Sequence, residues 1–489
     1  MLEKRDADAV RAHGISIEAV EEQLEGFRTG FPYIDIVRPA SAGDGIVRFD
    51  AERLASLGRR YDGACASRRV VKFVPASGAA TRMFRDLYDF LASGRENGVS
   101  AEVLASLDRF AFYDRLRTVL PAGAAPEEIV RRIVGPEGLG YGSLPKALIL
   151  FHRYPREVRT ALEEHLTEGA QYASCGGRVA IHFTVSPEHI AGFRSLLEEA
   201  LPRYGERFGV EYDVSMSVQK RSTDTIAVDA ENRPFRNGDG TLLFRPAGHG
   251  ALIENLNDID ADLIFIKNID NVTTDSRRGD TVVYKKALAG LLLEVSEQAH
   301  EYLRMLDGGL PDDAVTARMA GFVRDTLHVG LPDGFGECTA RERAAFLRRV
   351  LDRPVRVCGM VRNEGEPGGG PFFARSGSGL VSLQIVESSQ IAPQRREVMR
   401  QATYFNPVDL VCGVRDYRGR KYDLTRYVDR SAGFISEKSK DGRPLRAMEL
   451  PGLWNGAMSD WNTVFAEVPV TTFTPVKVVT DLLRPGHRS

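Results

Sequence analysis

The sequence predicts an α/β protein with a mainly parallel or mixed central sheet flanked by helices, a helical N-terminal region and a helical insertion. Apolar runs recur at Val70 to Val74, Ala147 to Phe151, Val179 to Val185 and Asp262 to Asn268. They are continuous rather than alternating, as in strands covered on both faces. Helical stretches with one apolar face separate them, the order expected of a parallel sheet. With 489 residues, 43% hydrophobic and 27% charged, the chain can bury a large core and favours two or three structural units.

Taken in order, residues 1–69 read as helical and polar, with Val10, Ile15, Ile17, Val20 and Leu24 forming an irregular stripe. The strand at Val70 is broken by Pro75 and Gly78, and a helix follows with Met83, Phe84, Leu87, Phe90 and Leu91 on one face. Helices continue through an insertion at about 84–140, where Pro126, Glu127 and Glu128 form a helix start. Ser186, Pro187 and Glu188 begin another helix after the Val179 strand. Residues 70–350 are expected to form an α/β domain, and residues 351–489 read as a β-rich part, with Gly365 to Phe372 as a flexible loop.

The 65 basic and 67 acidic residues leave a formal charge of −2, so no global field draws the chain to nucleic acid or anionic lipid. Phosphate binding must be local. Five widely spaced cysteines with no CxxC pair read as free thiols in a reducing compartment and argue against zinc. The charged N-terminus lacks an apolar signal core and no apolar run reaches membrane-spanning length, so a cytoplasmic protein is expected.

Four segments carry chemistry. Between the Val70 strand and its helix lie Ala76, Ser77, Gly78, Ala79, Ala80, Thr81 and Arg82. Free backbone N–H groups there favour an anion, small side chains admit a phosphate, and Arg82 adds a charged fork. The same residues suit any tight turn. Lys146, after Pro145, begins the next strand and could reach that loop. Asp270 follows the Asp262 strand at the sheet's carboxyl edge, where open α/β folds bind ligands; one carboxylate plus nucleotide phosphates is a usual magnesium site. Asp and Asn also commonly end strands as turns. Lys477 lies in Thr472 Phe473 Thr474 Pro475 Val476 Lys477, fixed by a preceding proline and followed by the apolar run Val478 to Leu483, read as a short terminal helix.

The Gly78 to Arg82 loop with Pro145 and Lys146 resembles the G-x-G-T-R … P-K signature of sugar-phosphate nucleotidyltransferases, with Ala80 at the second glycine position. Pro246 to Gly250, then Asn268 to Asn271, is similar to the GHG … NIDN arrangement of eukaryotic-type UDP-sugar pyrophosphorylases, as is Phe473 to Leu483 to their F-x-P-V-K element. The whole chain also resembles an uncharacterised bacterial family, domain of unknown function 4301, through VPASGAATRMF, PKALI and WNGAMSDWNTVF.

The resemblance to UDP-sugar pyrophosphorylases implies a GT-A-like nucleotide-diphospho-sugar transferase fold and a UTP-dependent sugar-1-phosphate uridylyltransferase using Mg²⁺, with residues 70–350 binding nucleotide and 351–489 binding sugar and completing the site. On that reading Arg82 and Lys146 hold the triphosphate, Asp270 the metal, and Lys477 the sugar phosphate and α-phosphate. Gln219, Gly248 and His249 contact the nucleotide, and Asn268, Glu387 and Asn406 the sugar. A glycosyltransferase of the same fold and a non-catalytic nucleotide or sugar binder remain alternatives, although Asn268 Ile269 Asp270 is one acid short of the D-x-D that such transferases carry. The oligomeric state and the sugar are left open.

Overall fold

The computed structural model describes every residue except 1, 2, 79, 366, 367, 378 and 489. The chain divides into two compact units, each assembled from three stretches. Met1–Asp50, Gln219–Asp262 and Leu291–Glu467 form the first; Ala51–Val218, Leu263–Gly290 and Val468–Ser489 form the second. The units interleave along the chain, whereas the expected segments were contiguous.

In the second unit, strands Leu263–Lys267, Val70–Pro75, Arg178–Thr184 and Glu211–Ser217 lie side by side in that order, all parallel. The continuous apolar sequences of the first three follow from burial on both faces, whereas Glu211–Ser217 alternates exposed and half-buried residues. The helix Ala161–Tyr172 is buried along most of its length, and the four helices from Arg85 to Val134 pack into the same core through Leu87, Phe90, Leu116, Val130 and Ile133.

Two expectations are corrected here. Lys146 does not begin a strand: Lys146–Leu148 is a 3-10 turn set by Pro145, and the strand is Leu150–Arg153. Cys65 and Cys175 are not free thiols but a disulfide, with Cα atoms 5.5 Å apart, joining the end of helix Ala51–Cys65 to strand Ser174–Cys175. Cys338, Cys358 and Cys412 are outside any disulfide.

In the first unit, strand Val355–Arg362 pairs parallel with Asn462–Glu467 and antiparallel with Asp409–Gly413 and Tyr404–Phe405. A four-stranded antiparallel sheet runs Phe244–Arg245, Thr225–Val228, Arg443–Glu449, Phe434–Lys440, and receives Val10, Val20, Leu24 and Phe27 of helices Lys4–His13 and Ile17–Thr29. The N-terminal region is therefore not wholly helical. Asp35–Pro39, Ser41–Ala42 and Gly45–Val47 are strands, and Ile36 pairs with Ala374 of Gly370–Arg375. Part of the expected Gly365 to Phe372 loop thus lies in a strand; Glu366 and Pro367 fall outside the described residues. Among the described residues, no helix is long and apolar enough to cross a membrane.

Candidate active site

The parallel sheet of the second unit brings three sequence-predicted residues together. Asp270 stands just past Leu263–Lys267 and the 76–82 loop just past the neighbouring Val70–Pro75, so both occupy the sheet's carboxyl edge. Lys146 arrives because the Ala80 N–H donates to Leu144 O at 3.0 Å, tying its turn to that loop. The 468–488 segment arrives through main-chain bonds. Val476 N–H donates to Asp270 O at 3.1 Å, Thr474 N–H to Asn271 Oδ1 at 2.9 Å and Val479 N–H to Met83 O at 3.1 Å.

The result is one carboxylate oxygen shared by two ammonium groups. Lys146 Nζ donates to Asp270 Oδ2 at 2.7 Å and to Val476 O at 2.6 Å, while Lys477 Nζ reaches the same Oδ2 at 3.2 Å. Their side-chain exposures differ in a way that separates their roles: 8% for Asp270, 15% for Lys146 and 58% for Lys477. Burial opposes ionisation of Asp270, but the Lys146 and Lys477 charges outweigh it and hold the carboxyl below its ordinary range. Two cations on one anion leave net positive charge at the sheet edge, and the exposed Lys477 is the group able to turn toward an incoming phosphate. Its backbone is fixed by Asp481, whose Oδ2 accepts the N–H of Lys477 at 2.7 Å and of Val478 at 2.9 Å. The apolar run after it is a 3-10 turn, Val479–Leu483, rather than an α-helix.

The 76–82 loop offers fewer open backbone N–H groups than its sequence suggested. The Ala76 N–H is committed to Thr184 O and that of Ala80 to Leu144 O, so neither is available to an anion. The turn continues as a 3-10 segment, Ala80–Arg82, with the α-helix starting at Arg85, so the loop does not run straight into an α-helix N-terminus. Gly78, Thr81 and Arg82 are exposed, and Ser77 O accepts the Ser186 hydroxyl at 2.9 Å. Ala79 lies outside the described residues. Asn268, half-buried, accepts the Asn271 N–H in the turn that presents Asp270.

The remaining predicted residues belong to the first unit. Gly248 has φ +79°, and a Cβ there would stand 2.9 Å from Glu449 Oε2, so this backbone requires glycine. His249 accepts the Leu453 N–H on Nδ1 at 3.0 Å and stacks on Trp454 at 4.2 Å; burial pushes its pKa down to about 4. His249 and Glu387 line one pocket with Glu449, Gln390 and Asn455, but its volume is about 10 Å³, room for about one water. Burial, reinforced by the Glu449 charge, raises the Glu387 pKa. Gln219 donates to Thr223 Oγ1 at 3.4 Å. Asn406 is buried, its Oδ1 accepting the N–H of Val408, a non-glycine residue at φ +61°, which makes it a turn brace. A larger cleft of about 810 Å³ in this unit shares Asn455. It carries Arg349, Arg353, Arg375 and Arg430 beside Asp35, Asp429 and Asp460, so it selects no single ligand charge.

Sequence reasoning missed a second buried ion cluster beneath the lysine site. Lys72 and Lys267, on neighbouring strands, both reach Glu168: Lys72 Nζ to Oε2 at 3.0 Å, Lys267 Nζ to Oε1 at 2.7 Å. The Tyr172 hydroxyl donates to Oε2 at 3.1 Å. Desolvation brings Lys72 down to about 7 against the pull of Glu168, whose own pKa the lysines hold well below its ordinary value. Because these strands end in the 76–82 loop and in Asn268–Asp270, the cluster fixes the register of both site loops. The signal available in sequence was a lysine inside each apolar run.

The parallel sheet with a lysine-compensated carboxylate at its carboxyl edge belongs to an α/β protein whose fold is that of the UDP-sugar pyrophosphorylases. A UDP-N-acetylglucosamine pyrophosphorylase from Trypanosoma brucei, solved with an inhibitor, is 13% identical, covering 96% of this chain and 74% of that chain at a TM-score of 0.50. A UDP-glucose phosphorylase from the same organism is 13% identical, covering 98% and 77%, at a TM-score of 0.47. No curated protein matches the sequence. The chain belongs to the family described as Domain of unknown function (DUF4301), which matches residues 3–488.

Proposed function

We propose that this protein is a nucleotidyltransferase that joins UTP to a sugar 1-phosphate, giving UDP-sugar and pyrophosphate, on a GT-A-like nucleotide-diphospho-sugar transferase fold. One observation carries the reading: Lys146, Asp270 and Lys477 converge, with net positive charge, at the carboxyl edge of a parallel sheet. In the reaction an oxygen of the sugar phosphate attacks the α-phosphorus, the bond to the β-phosphate oxygen breaks, and pyrophosphate leaves. Such transfer needs positioning and charge neutralisation more than covalent help. Lys146 and Lys477 would stabilise the phosphates, with Arg82 free to swing to the triphosphate.

Among the described residues no three His, Cys, Asp or Glu side chains form a metal cage. Asp270 engages both lysines through Oδ2, so its other oxygen, Oδ1, would be the atom to hold a Mg²⁺, an ion that needs only one or two protein carboxylates. Bound there, Mg²⁺ would neutralise charge on the departing pyrophosphate.

The test is pyrophosphate release from UTP with a panel of sugar 1-phosphates, using the native chain, Lys477→Ala and Asp270→Asn. Turnover by the native chain and its collapse in both variants supports the proposal, whereas equal turnover in all three defeats it. The commitment of the Ala76 and Ala80 N–H groups favours a second reading, a nucleotide-sugar binder without turnover. UTP binding with no pyrophosphate release selects it.

A further inference from the structure

A cleft of about 260 Å³ opens in the second unit where the turn Leu107–Arg109, the end of strand Leu150–Arg153 and residues 487–488 meet. Arg109, Arg153 and Arg488 line it, and no lining side chain among the described residues is acidic. Arg153 also pairs with Asp114 at 3.5 Å, whose side chain is 71% exposed. Arg153 is built in: its Nη1 and Nη2 donate to Asp108 O at 3.1 Å and Phe110 O at 2.9 Å, fixing the wall that carries Arg109. Pro155 and the ring of Tyr154 give the cleft an apolar side, backed by the buried Phe151 and Ala111.

We propose that this cleft binds a phosphate monoester, a small phosphorylated metabolite whose dianion engages Arg109 and Arg488 beside the anchored charge of Arg153, while its organic part lies on Tyr154 and Pro155. Guanidinium forks match phosphate oxygens in pairs, and the volume suits a ligand somewhat smaller than a drug molecule.

The cleft is mechanically tied to Lys477. His487, on its wall, is bonded to His152 Nε2 at 2.8 Å, and His152 Nδ1 to Glu164 Oε1 at 2.8 Å, deep in the core. Gly486 O accepts the Thr273 hydroxyl at 2.8 Å and the Thr274 N–H at 3.3 Å. At the other end of the same short segment, Thr474 and Val476 are bonded to residues 270–272. Occupancy of the cleft therefore steadies the segment that holds Lys477 against Asp270, making the ligand a regulator of that lysine.

Isothermal titration tests this with phenyl phosphate, inorganic phosphate and benzoate as probes, on the native chain, on Arg109→Gln/Arg488→Gln and on Lys477→Ala. Phenyl phosphate should bind the native chain about tenfold more tightly than inorganic phosphate, from its ring on the apolar wall, and more tightly than benzoate, which offers only a monoanion. The double variant should lose at least about tenfold for phenyl phosphate, through two missing charge-assisted contacts, while Lys477→Ala should lose only about twofold, the share supplied by coupling to the Asp270 contact. Phenyl phosphate should also slow amide exchange over 474–488 in the native chain. If the double variant fails to fold by circular dichroism, Arg109→Gln and Arg488→Gln are each titrated alone, with weakening expected in both. Absence of binding at millimolar phenyl phosphate, native affinity in the arginine variants, or loss confined to Lys477→Ala overturns the proposal, and benzoate binding as tightly as phenyl phosphate overturns its ligand class.

Discussion

Lys146 and Lys477 share one oxygen of Asp270, yet removing them should affect stability unequally. Lys146 is 15% exposed and also donates to Val476 O, so Lys146→Met strips the buried carboxylate of its closer partner and orphans a carbonyl. Breaking a buried pair costs about 3–5 kcal/mol; because Lys477 stays within 3.2 Å, roughly half of that, about 2 kcal/mol, is expected. Lys477 is 58% exposed, and Lys477→Ala should cost no more than about 1 kcal/mol. In melting temperature this is about 4–8 °C against about 1–4 °C for a unit of this size. Adding Asp270→Asn to Lys146→Met should recover part of the loss, because the buried charge disappears with its partner. The readout must be far-ultraviolet circular dichroism or amide exchange at 268–272, since both tryptophans, Trp454 and Trp461, lie in the first unit. Equal losses for the two lysine variants, or no recovery in the double variant, would refute the assignment of Lys146 as the structural partner and Lys477 as the available one.

Activity should rank these variants differently. Lys477→Ala and Asp270→Asn are each expected to cut pyrophosphate release by about 10²–10³, by analogy with losing a transition-state charge contact, with Lys477→Ala near native in stability. Acid should destabilise the first unit through His249. The unfolded imidazole takes a proton near 6.5, which the native one refuses until about 4, so the unfolded state binds more protons in between. Stability therefore falls as pH drops from about 6.5 to 4, by up to about 3 kcal/mol, and His249→Gln should flatten that window in a Trp-fluorescence denaturation series. Thiol titration in denaturant without reductant should find only Cys338, Cys358 and Cys412, and all five cysteines after reduction; five at the outset would contradict the Cys65–Cys175 bond.

The parts of this molecule that were legible in the sequence are those set by local pattern. The continuous runs at Val70, Val179 and Asp262 became adjacent parallel strands because burial on both faces removes the polar alternation of a half-exposed strand. Asp270 was legible because it follows such a run at its carboxyl end, and Lys477 because a proline precedes it and an apolar run follows; the capping of its backbone by Asp481 was not read. What stayed hidden was set by partners distant along the chain. The Lys72 and Lys267 pairs with Glu168 span 96 and 99 residues, and nothing in the strand sequences names a glutamate on helix Ala161–Tyr172 as their acceptor. The Ala80 N–H read as free for an anion because its acceptor, Leu144 O, lies beyond the helical insertion. Cys65 and Cys175, separated by 110 residues, gave no spacing signal for the same reason. This division bears on chemistry: the buried Glu168 cluster fixes the strand ends, and only then can one carboxylate oxygen hold two lysines from turns far apart in sequence. Replacing Glu168 should therefore loosen Asp270 and both site loops together, although it touches neither lysine of the site.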